Sequence, residues 1–262
     1  KPELMRKIKI FALVGLVGVL IVGALAIWVG ISTINYVAST ANQMIQSPPH
    51  VFVGIDAPDF NFGLERLLKD AGIKTLHVVC PSFWAWRPGR LASLSKSVDH
   101  VLCLFPFEPP LLAVHGINAT YIGHPLASEV PAQPDKVGAR MQLGLTQSDT
   151  VIALLPGSRV SEVAHIGPVV LDTALLLLKQ YPHMKFVVPT TEQRWASIAK
   201  LVDQKGLSDH VSIIPNGTHV ALAAADTAVV ASGTATLEAA LLKCPMVIVY
   251  KLNRLSWWML KR

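Results

Sequence analysis

From His50 onward, short β-branched runs alternate with helical stretches, and this rhythm restricts the chain to few folds. Val51-Phe52-Val53-Gly54-Ile55 reads as a buried strand, Leu64 to Ala71 as a helix closed by Gly72, and Thr75 to Val79 as the next strand. Val101 to Phe105 comes next as a strand, then Pro110 to His115 as a short helix stopped by Gly116. Strands that are apolar along their whole length and joined through helices pair in parallel, with both faces covered. The pattern predicts an α/β fold built on parallel sheet.

Between Gly123 and Asp135 the prolines Pro125, Pro131 and Pro134 interrupt any periodicity, which reads as an interdomain connection. A second series of units comes after it. Thr150 to Leu155, Lys185 to Val188, Val211 to Ile214, Thr227 to Ala231 and Met246 to Tyr250 read as strands. Between them lie helices at Ser161 to Gln180, broken or kinked near Pro168, then Gln193 to Gln204, Val220 to Ala225 and Ala235 to Leu242. The expectation is a first lobe over 50–130 and a second over 131–262. In such lobes ligands bind at the carboxyl ends of the strands, so the loops after strands are the candidates for chemistry.

The segment before His50 is of another kind. Ile10 to Ile31 is a run of twenty-two residues without a charge, and it concentrates part of a composition that is 52% hydrophobic. At roughly 1.5 Å per residue such a helix crosses a hydrocarbon core of about 30 Å. Lys1, Arg6, Lys7 and Lys9 precede it, and Trp28 and Tyr36 stand near its far end as interfacial anchors. A transmembrane or signal-anchor helix is the expectation. A signal peptide is the rival reading, although its apolar region usually spans only about 7–15 residues. Tyr36 to Pro49, ending in Ser47-Pro48-Pro49, reads as a linker, so that 1–49 comprises basic flank, membrane helix and linker. The four cations of the first nine residues less Glu3 give +3, half of the formal +6, so the remainder is mildly basic. That suits anionic lipid or phosphorylated substrates and predicts no nucleic-acid partner. Cys80, Cys103 and Cys244 read as free buried thiols of a reducing compartment, neither a disulfide frame nor a zinc site.

Three strand-to-helix loops are candidate sites. In Leu155-Pro156-Gly157-Ser158-Arg159, Gly157 lets the backbone approach a ligand, helix-start amides favour an anion, and Arg159 fits a phosphate. A tight turn with a surface arginine explains the same residues. In Ala231-Ser232-Gly233-Thr234-Ala235-Thr236-Leu237-Glu238, Ser232 and Thr234 are candidate helix caps. The functional reading has Ser232, Gly233 and Thr234 touch phosphate while Glu238 accepts hydrogen bonds from ribose hydroxyls. In Gly54-Ile55-Asp56-Ala57-Pro58-Asp59-Phe60-Asn61, Asp56 is placed to take a proton from an acceptor hydroxyl, with Asp59 or Asn61 orienting it or capping the next helix. Ordinary turn chemistry is the alternative. No cluster of histidines and carboxylates accompanies this loop, so no metal is assigned. Trp84 and Trp86 form either a ledge for acyl chains or part of a lobe core, and His124 is either structural or cleft-facing. Leu255 to Arg262 mixes aromatics and positive charge as an interfacial helix does, and an internal helix cut short would look the same.

Taken in order, these stretches resemble the lipid-A-disaccharide synthases. The resemblance rests on the Asp56 loop, Pro81-Ser82-Phe83-Trp84-Ala85-Trp86-Arg87, Phe105-Pro106-Phe107-Glu108 and Gly123-His124-Pro125-Leu126-Ala127. It continues through the Gly157 and Gly233 loops and Lys243-Cys244-Pro245-Met246, and it covers roughly His50 to Arg262. It implies a GT-B fold of two Rossmann-like parallel-sheet lobes. It also implies inverting transfer of 2,3-diacylglucosamine from UDP-2,3-diacylglucosamine to 2,3-diacylglucosamine 1-phosphate, with no metal and no cofactor. Asp56 then corresponds to the family's essential aspartate. Arg159, with Gly157 and Ser158, faces the UDP diphosphate; Ser232, Gly233, Thr234 and Glu238 line the nucleotide pocket. The resemblance also implies work at the cytoplasmic face of the bacterial inner membrane, in contact with its lipid.

The family opens with a glycine-rich loop of the Ala-Gly-Glu-Ala-Ser-Gly-Asp type that has no counterpart before His50. An Asn-Leu-Leu-Ala-Gly-Arg-Glu-like motif is absent after Ser256. Both lobes are therefore expected to be incomplete, and activity of this chain as a fragment is an open expectation. A helix with a basic N-terminal flank also directs the chain beyond it away from the cytoplasm, against the family's topology. Two alternatives stand beside this reading. One is another GT-B protein using UDP-N-acetylglucosamine, such as the lipid II transferase of peptidoglycan synthesis or the 2-epimerase, against which the Asp56 loop and the tryptophan pair speak. The other is a membrane-anchored, non-catalytic UDP-binding remnant.

Overall fold

A computed structural model describes residues 32–83 and 88–251. The expected membrane helix, Trp84, Trp86 and the aromatic C-terminal stretch lie outside the described residues. The chain divides into two compact units between His124 and Pro125, a little before the boundary expected after residue 130.

Unit 1 carries a four-stranded parallel sheet in the order β1-β2-β3-β4, with β1 at Val51–Ile55, β2 at Lys74–Val78, β3 at His100–Cys103 and β4 at Ala119–Tyr121. Helix α1 spans residues 32–46, so the stretch read as a linker is helical. The reason is legible after the fact: Val37, Ala41 and Met44 recur at helical spacing and pack against Leu64, Leu68 and Ile73. Helix α2, Pro58–Asp70, begins with proline in its first turn, carries Asp59 there and Lys69 in its last turn, and buries Leu64 and Leu68. Gly72, at φ 85°, ends it. Helices α3, Leu91–Ser97, and α4, Glu108–Ala113, also belong to this unit, but β1, expected to be buried, lies at the sheet edge and leaves Val51, Val53 and Ile55 exposed. The core gathers Phe62, Phe83, Leu91, Leu94, Val101, Leu112 and Ile117.

Unit 2 holds a five-stranded parallel sheet in the order β7-β6-β5-β8-β9. The strands are β5 at Val151–Leu155, β6 at Lys185–Thr190, β7 at Val211–Pro215, β8 at Thr227–Ala231 and β9 at Met246–Val249. The order reverses at β5, so the crevice beside that strand is a topological switch point. All five β5 residues are buried, because Ile152 and Leu154 pack on one face while Val151, Ala153 and Leu155 pack on the other. Helices α7, Val160–Gln180, and α8, Glu192–Gln204, cover the first face. Helices α9, Thr218–Ala224, and α10, Thr234–Leu241, cover the second.

Two differences from the sequence reading stand out. The helix expected to be broken or kinked near Pro168 is not broken there but runs on through it. It is also the single helix among the described residues long and apolar enough to cross a membrane, yet one of its faces, with Val163, Ile166, Val170, Leu171 and Ala174, is buried in the unit 2 core. The proline-rich segment read as an unstructured connection contains α5, Leu126–Glu129, and α6, Lys136–Gln142. Arg140 of α6 is 2% exposed, and its guanidinium donates to the carbonyls of Ala224, Thr146 and Gln147 and to both oxygens of Asp226. A charge so buried is tolerated because its donors find acceptors on every side.

Candidate functional site

In unit 2 the loops that leave β5, β6, β7 and β8 surround one cavity of about 630 Å³. All seven residues expected at a nucleotide site, Gly157, Ser158, Arg159, Ser232, Gly233, Thr234 and Glu238, line it. Their convergence stems from the parallel sheet, which sends every strand-to-helix loop to the same edge.

The two helix starts in this cavity differ. At α7, Gly157 adopts φ 103°, and a methyl group there would come within 2.5 Å of the Glu162 side chain. Glu162 Oε2 accepts hydrogen bonds from the backbone N–H of Ser158 at 3.0 Å and of Arg159 at 3.2 Å. Its Oε1 accepts from Arg159 Nη1 at 2.9 Å. Burial acts to raise the Glu162 pKa; the hydrogen bonds from Arg159 and Ser158 outweigh it, and the carboxyl is held below its usual range. Two of the amides expected to be free for an anion, those of Ser158 and Arg159, are thus taken by a carboxylate of the same helix.

At α10, by contrast, the N-cap is Gly233 and no described side chain caps the helix, so the expected capping by Ser232 or Thr234 is not observed. Thr236 instead donates to the Gly233 carbonyl at 2.7 Å. Ser232, Gly233 and Thr234 are exposed toward solvent. A helix start without a side-chain cap carries partial positive charge and accepts an anion. Arg159, whose side chain is 80% exposed and held at one end by Glu162, supplies a cation to the same cavity.

Thr190, Thr191, Asn216 and Thr218 also line the cavity and were not singled out from sequence. Asn216 sits at φ 52° and donates its N–H to the Thr190 carbonyl at 2.8 Å, tying the β7 loop to the β6 loop. The Asn216-Gly217 dipeptide was the available signal, since both residues suit tight turns. His219 Nε2 lies 3.2 Å from Glu238 Oε2, so Glu238 has an intramolecular partner beside the cavity.

In unit 1, Asp56 comes directly after β1 and is exposed. Asp56 and Ala57 both take positive φ, 50° and 42°, a strained turn for residues with side chains. What holds it is Asn61, whose side-chain amide donates to the carbonyls of Ile55 at 3.2 Å and Asp56 at 2.7 Å. Asp59 pairs with Arg90 instead of orienting Asp56. Beneath the turn lies a pair that sequence reading missed: His77 Nδ1 and Glu65 Oε1 are 2.7 Å apart and fully buried. The pair occupies the space left by Gly54, where a methyl group would stand 2.1 Å from Glu65 Oε1. His124, in the same unit, packs its ring 5.7 Å from that of Phe105. The three cysteines are buried, as their apolar contexts suggested, and burial together with the charge of Glu108 pushes the Cys103 thiol up to about 11.

Comparison with known proteins places this geometry. A family model described as lipid-A-disaccharide synthetase matches residues 3–262. The lipid-A-disaccharide synthase of Albidiferax ferrireducens is 51% identical over 220 residues, which is 84% of this chain and 57% of that protein. The Burkholderia pseudomallei enzyme of the same name is 53% identical over 221 residues, again 84% and 57%. The chain therefore spans little more than half the length of these curated relatives. Among solved structures, S. aureus MnaA with UDP superposes with a TM-score of 0.56 at 11% identity, covering 86% of this chain and 64% of that one. The UDP-GlcNAc 2-epimerase of Neisseria meningitidis gives 0.54 at 15% identity, covering 87% and 67%. At such identities the likeness is one of fold, and it agrees with the GT-B type expected from the sequence. With a family match over nearly its whole length and relatives identical at half their aligned positions, this chain belongs to the lipid-A-disaccharide synthetase family.

Proposed function

We propose that the chain contributes to inverting transfer of 2,3-diacylglucosamine from UDP-2,3-diacylglucosamine to 2,3-diacylglucosamine 1-phosphate, at the lipid surface of the bacterial inner membrane. The unit 2 cavity is the donor site. The observation that carries this reading is the pairing, in one cavity, of the uncapped α10 helix start with Arg159, two groups suited to a diphosphate. Two of the structural neighbours hold UDP or UDP-GlcNAc.

The chemistry assigns a role to each group. Asp56 takes the proton of the acceptor hydroxyl as its oxygen attacks the anomeric carbon, and the bond from that carbon to the diphosphate oxygen breaks. Negative charge grows on the departing UDP, where the α10 amides and Arg159 stabilise it more in the transition state than in the ground state. Glu238 accepts hydrogen bonds from the ribose hydroxyls. Attack from the face opposite the leaving group inverts the configuration.

Glycosyl transfer by the purified chain in detergent tests the reading, with both lipid substrates supplied and Asp56→Ala as control. The expected result is product formation that disappears in the variant. Product formation that survives Asp56→Ala would remove Asp56 from the mechanism. A folded chain that fails to bind UDP would overturn the donor-site assignment.

A further inference from the structure

Unit 1 contains a second cluster of chemically competent groups that the glycosyl transfer does not use. Cys80 lies just beyond β2, Cys103 ends β3, and Glu108 opens α4, so all three stand at the carboxyl edge of adjacent strands. Their exposures are 6%, 0% and 4%. One ligand atom from each lies within 4.8 Å of the other two. The chain reaches this arrangement through Val79, a β-branched residue at φ 77° whose N–H donates to the Leu102 carbonyl at 3.0 Å. That strained residue sits immediately before the buried Cys80, where the chain leaves the strand.

Glu108 is the acidic member. Its Oε2 accepts from the Phe105 N–H at 3.0 Å, the Leu104 N–H and the Cys80 thiol also hydrogen-bond its carboxyl, and among the described residues no lysine, arginine or histidine is paired with it. A buried carboxylate is normally matched by a cation or bound to a metal. Here two sulfur atoms stand beside it instead.

We propose that Cys80, Cys103 and Glu108 form a binding site for a thiophilic divalent cation of the zinc type, which clamps the ends of β2 and β3 to the start of α4. Two sulfurs and one carboxylate oxygen are a donor set that suits zinc and disfavours magnesium or calcium. In a tetrahedral zinc site with bonds of about 2.3 Å, ligand atoms stand about 3.8 Å apart, so a contraction of about 1 Å at most closes the present triangle. The fourth position falls to water. On binding, the two thiol protons pass to solvent and the sulfurs bind as thiolates, which with the carboxylate leave a net charge of −1 at the ion. The ion's role is structural, and nothing in the transfer chemistry passes through it. The pairing is invisible along the chain because the three residues are separated by other elements of the fold, so no compact metal motif exists.

The test uses the full chain purified in detergent without chelator, and its readouts need neither UDP nor lipid substrate, so its outcome is independent of the donor-site proposal. Elemental analysis after dialysis is expected to show one equivalent of zinc. Replacement by cobalt(II) should give the near-ultraviolet sulfur-to-metal charge-transfer band and the visible bands of a tetrahedral ion. Cys103→Ser and Glu108→Gln, each checked for folding by circular dichroism, should weaken cobalt affinity at least about 10-fold, in keeping with loss of one ligand. Absence of zinc together with no charge-transfer band on cobalt titration of the wild-type chain would overturn the proposal, and this arm requires no variant to fold. A band that persists unchanged in Cys103→Ser would equally overturn it, because the metal would then be bound elsewhere.

Discussion

Glu162 Oε2 sits 3.0 Å from the Ser158 backbone nitrogen, so the start of α7 carries its own anion. A diphosphate entering the cavity meets this carboxylate as a like charge and as a competitor for the same amides. Glu162→Gln keeps an acceptor for one N–H and removes the charge. The expected outcome is a rise in UDP affinity of about two- to five-fold, the scale of a single charge near a helix start. Calorimetric titration with UDP reads it; unchanged or weaker binding would place the diphosphate away from α7.

Arg159 bears on the same ligand with the opposite sign. With 80% of its side chain exposed, it contributes little to the fold. Arg159→Ala is expected to leave the melting temperature within about a degree while UDP affinity falls roughly 10- to 100-fold, the usual cost of a lost charge-assisted hydrogen bond. A variant that binds UDP normally would transfer the cationic role to another residue.

These two residues show how far the sequence could be read. Arg159 and the Gly157 turn were legible because a strand-to-helix junction with glycine and arginine advertises an anion site. Glu162 stands three residues beyond the N-cap Arg159, the spacing of a capping box, and that was the signal for its occupation of the amides. The sheet of unit 2 was legible because β5 is apolar along its whole length. Helix α1 was not, since Val37, Ala41 and Met44 are diluted by Ser39, Thr40, Asn42 and Gln43 and the apolar stripe is narrow. Polar pairs such as the buried Glu65 with His77, or the buried Arg140 with the exposed Asp226, have no local signature: each partner looks like surface until the sheet brings them together.

The Arg140–Asp226 network makes unit 2 sensitive to acid. Burial acts to raise the Asp226 pKa, but the Lys136 hydrogen bond, the Val151 N–H and the charges of Lys136 and Arg140 outweigh it, so the folded value is depressed. A depressed carboxylate contributes stability that is complete above its unfolded pKa of about 3.9 and is lost as pH falls through the folded value. Thermal melts from about pH 6 downward should therefore show stability declining once pH drops below about 4, with a shallower decline in Asp226→Asn. At neutral pH, Asp226→Ala should cost roughly 2–3 kcal/mol, less than a fully buried pair because Asp226 is 40% exposed. A flat pH profile in the wild-type chain would show that the network is not coupled to folding.

Gly54 and Gly233 make opposite predictions for the same substitution. An alanine at Gly54 would place its methyl 2.1 Å from Glu65 Oε1, and that carboxylate cannot retreat because it is fully buried against His77. Gly54→Ala should cost roughly 1–3 kcal/mol, as overpacking of a filled interior does. Gly233 has extended backbone at φ 166°, and its added methyl would meet nothing within 4 Å. Gly233→Ala should therefore leave the denaturation midpoint unchanged. Because that methyl would stand at the uncapped start of α10 in the cavity wall, UDP affinity should fall. Chemical denaturation and UDP titration of both variants separate the two cases. A Gly54→Ala chain as stable as the wild type would mean that Glu65 is free to move, and a Gly233→Ala chain that binds UDP as tightly as the wild type would move the diphosphate off α10.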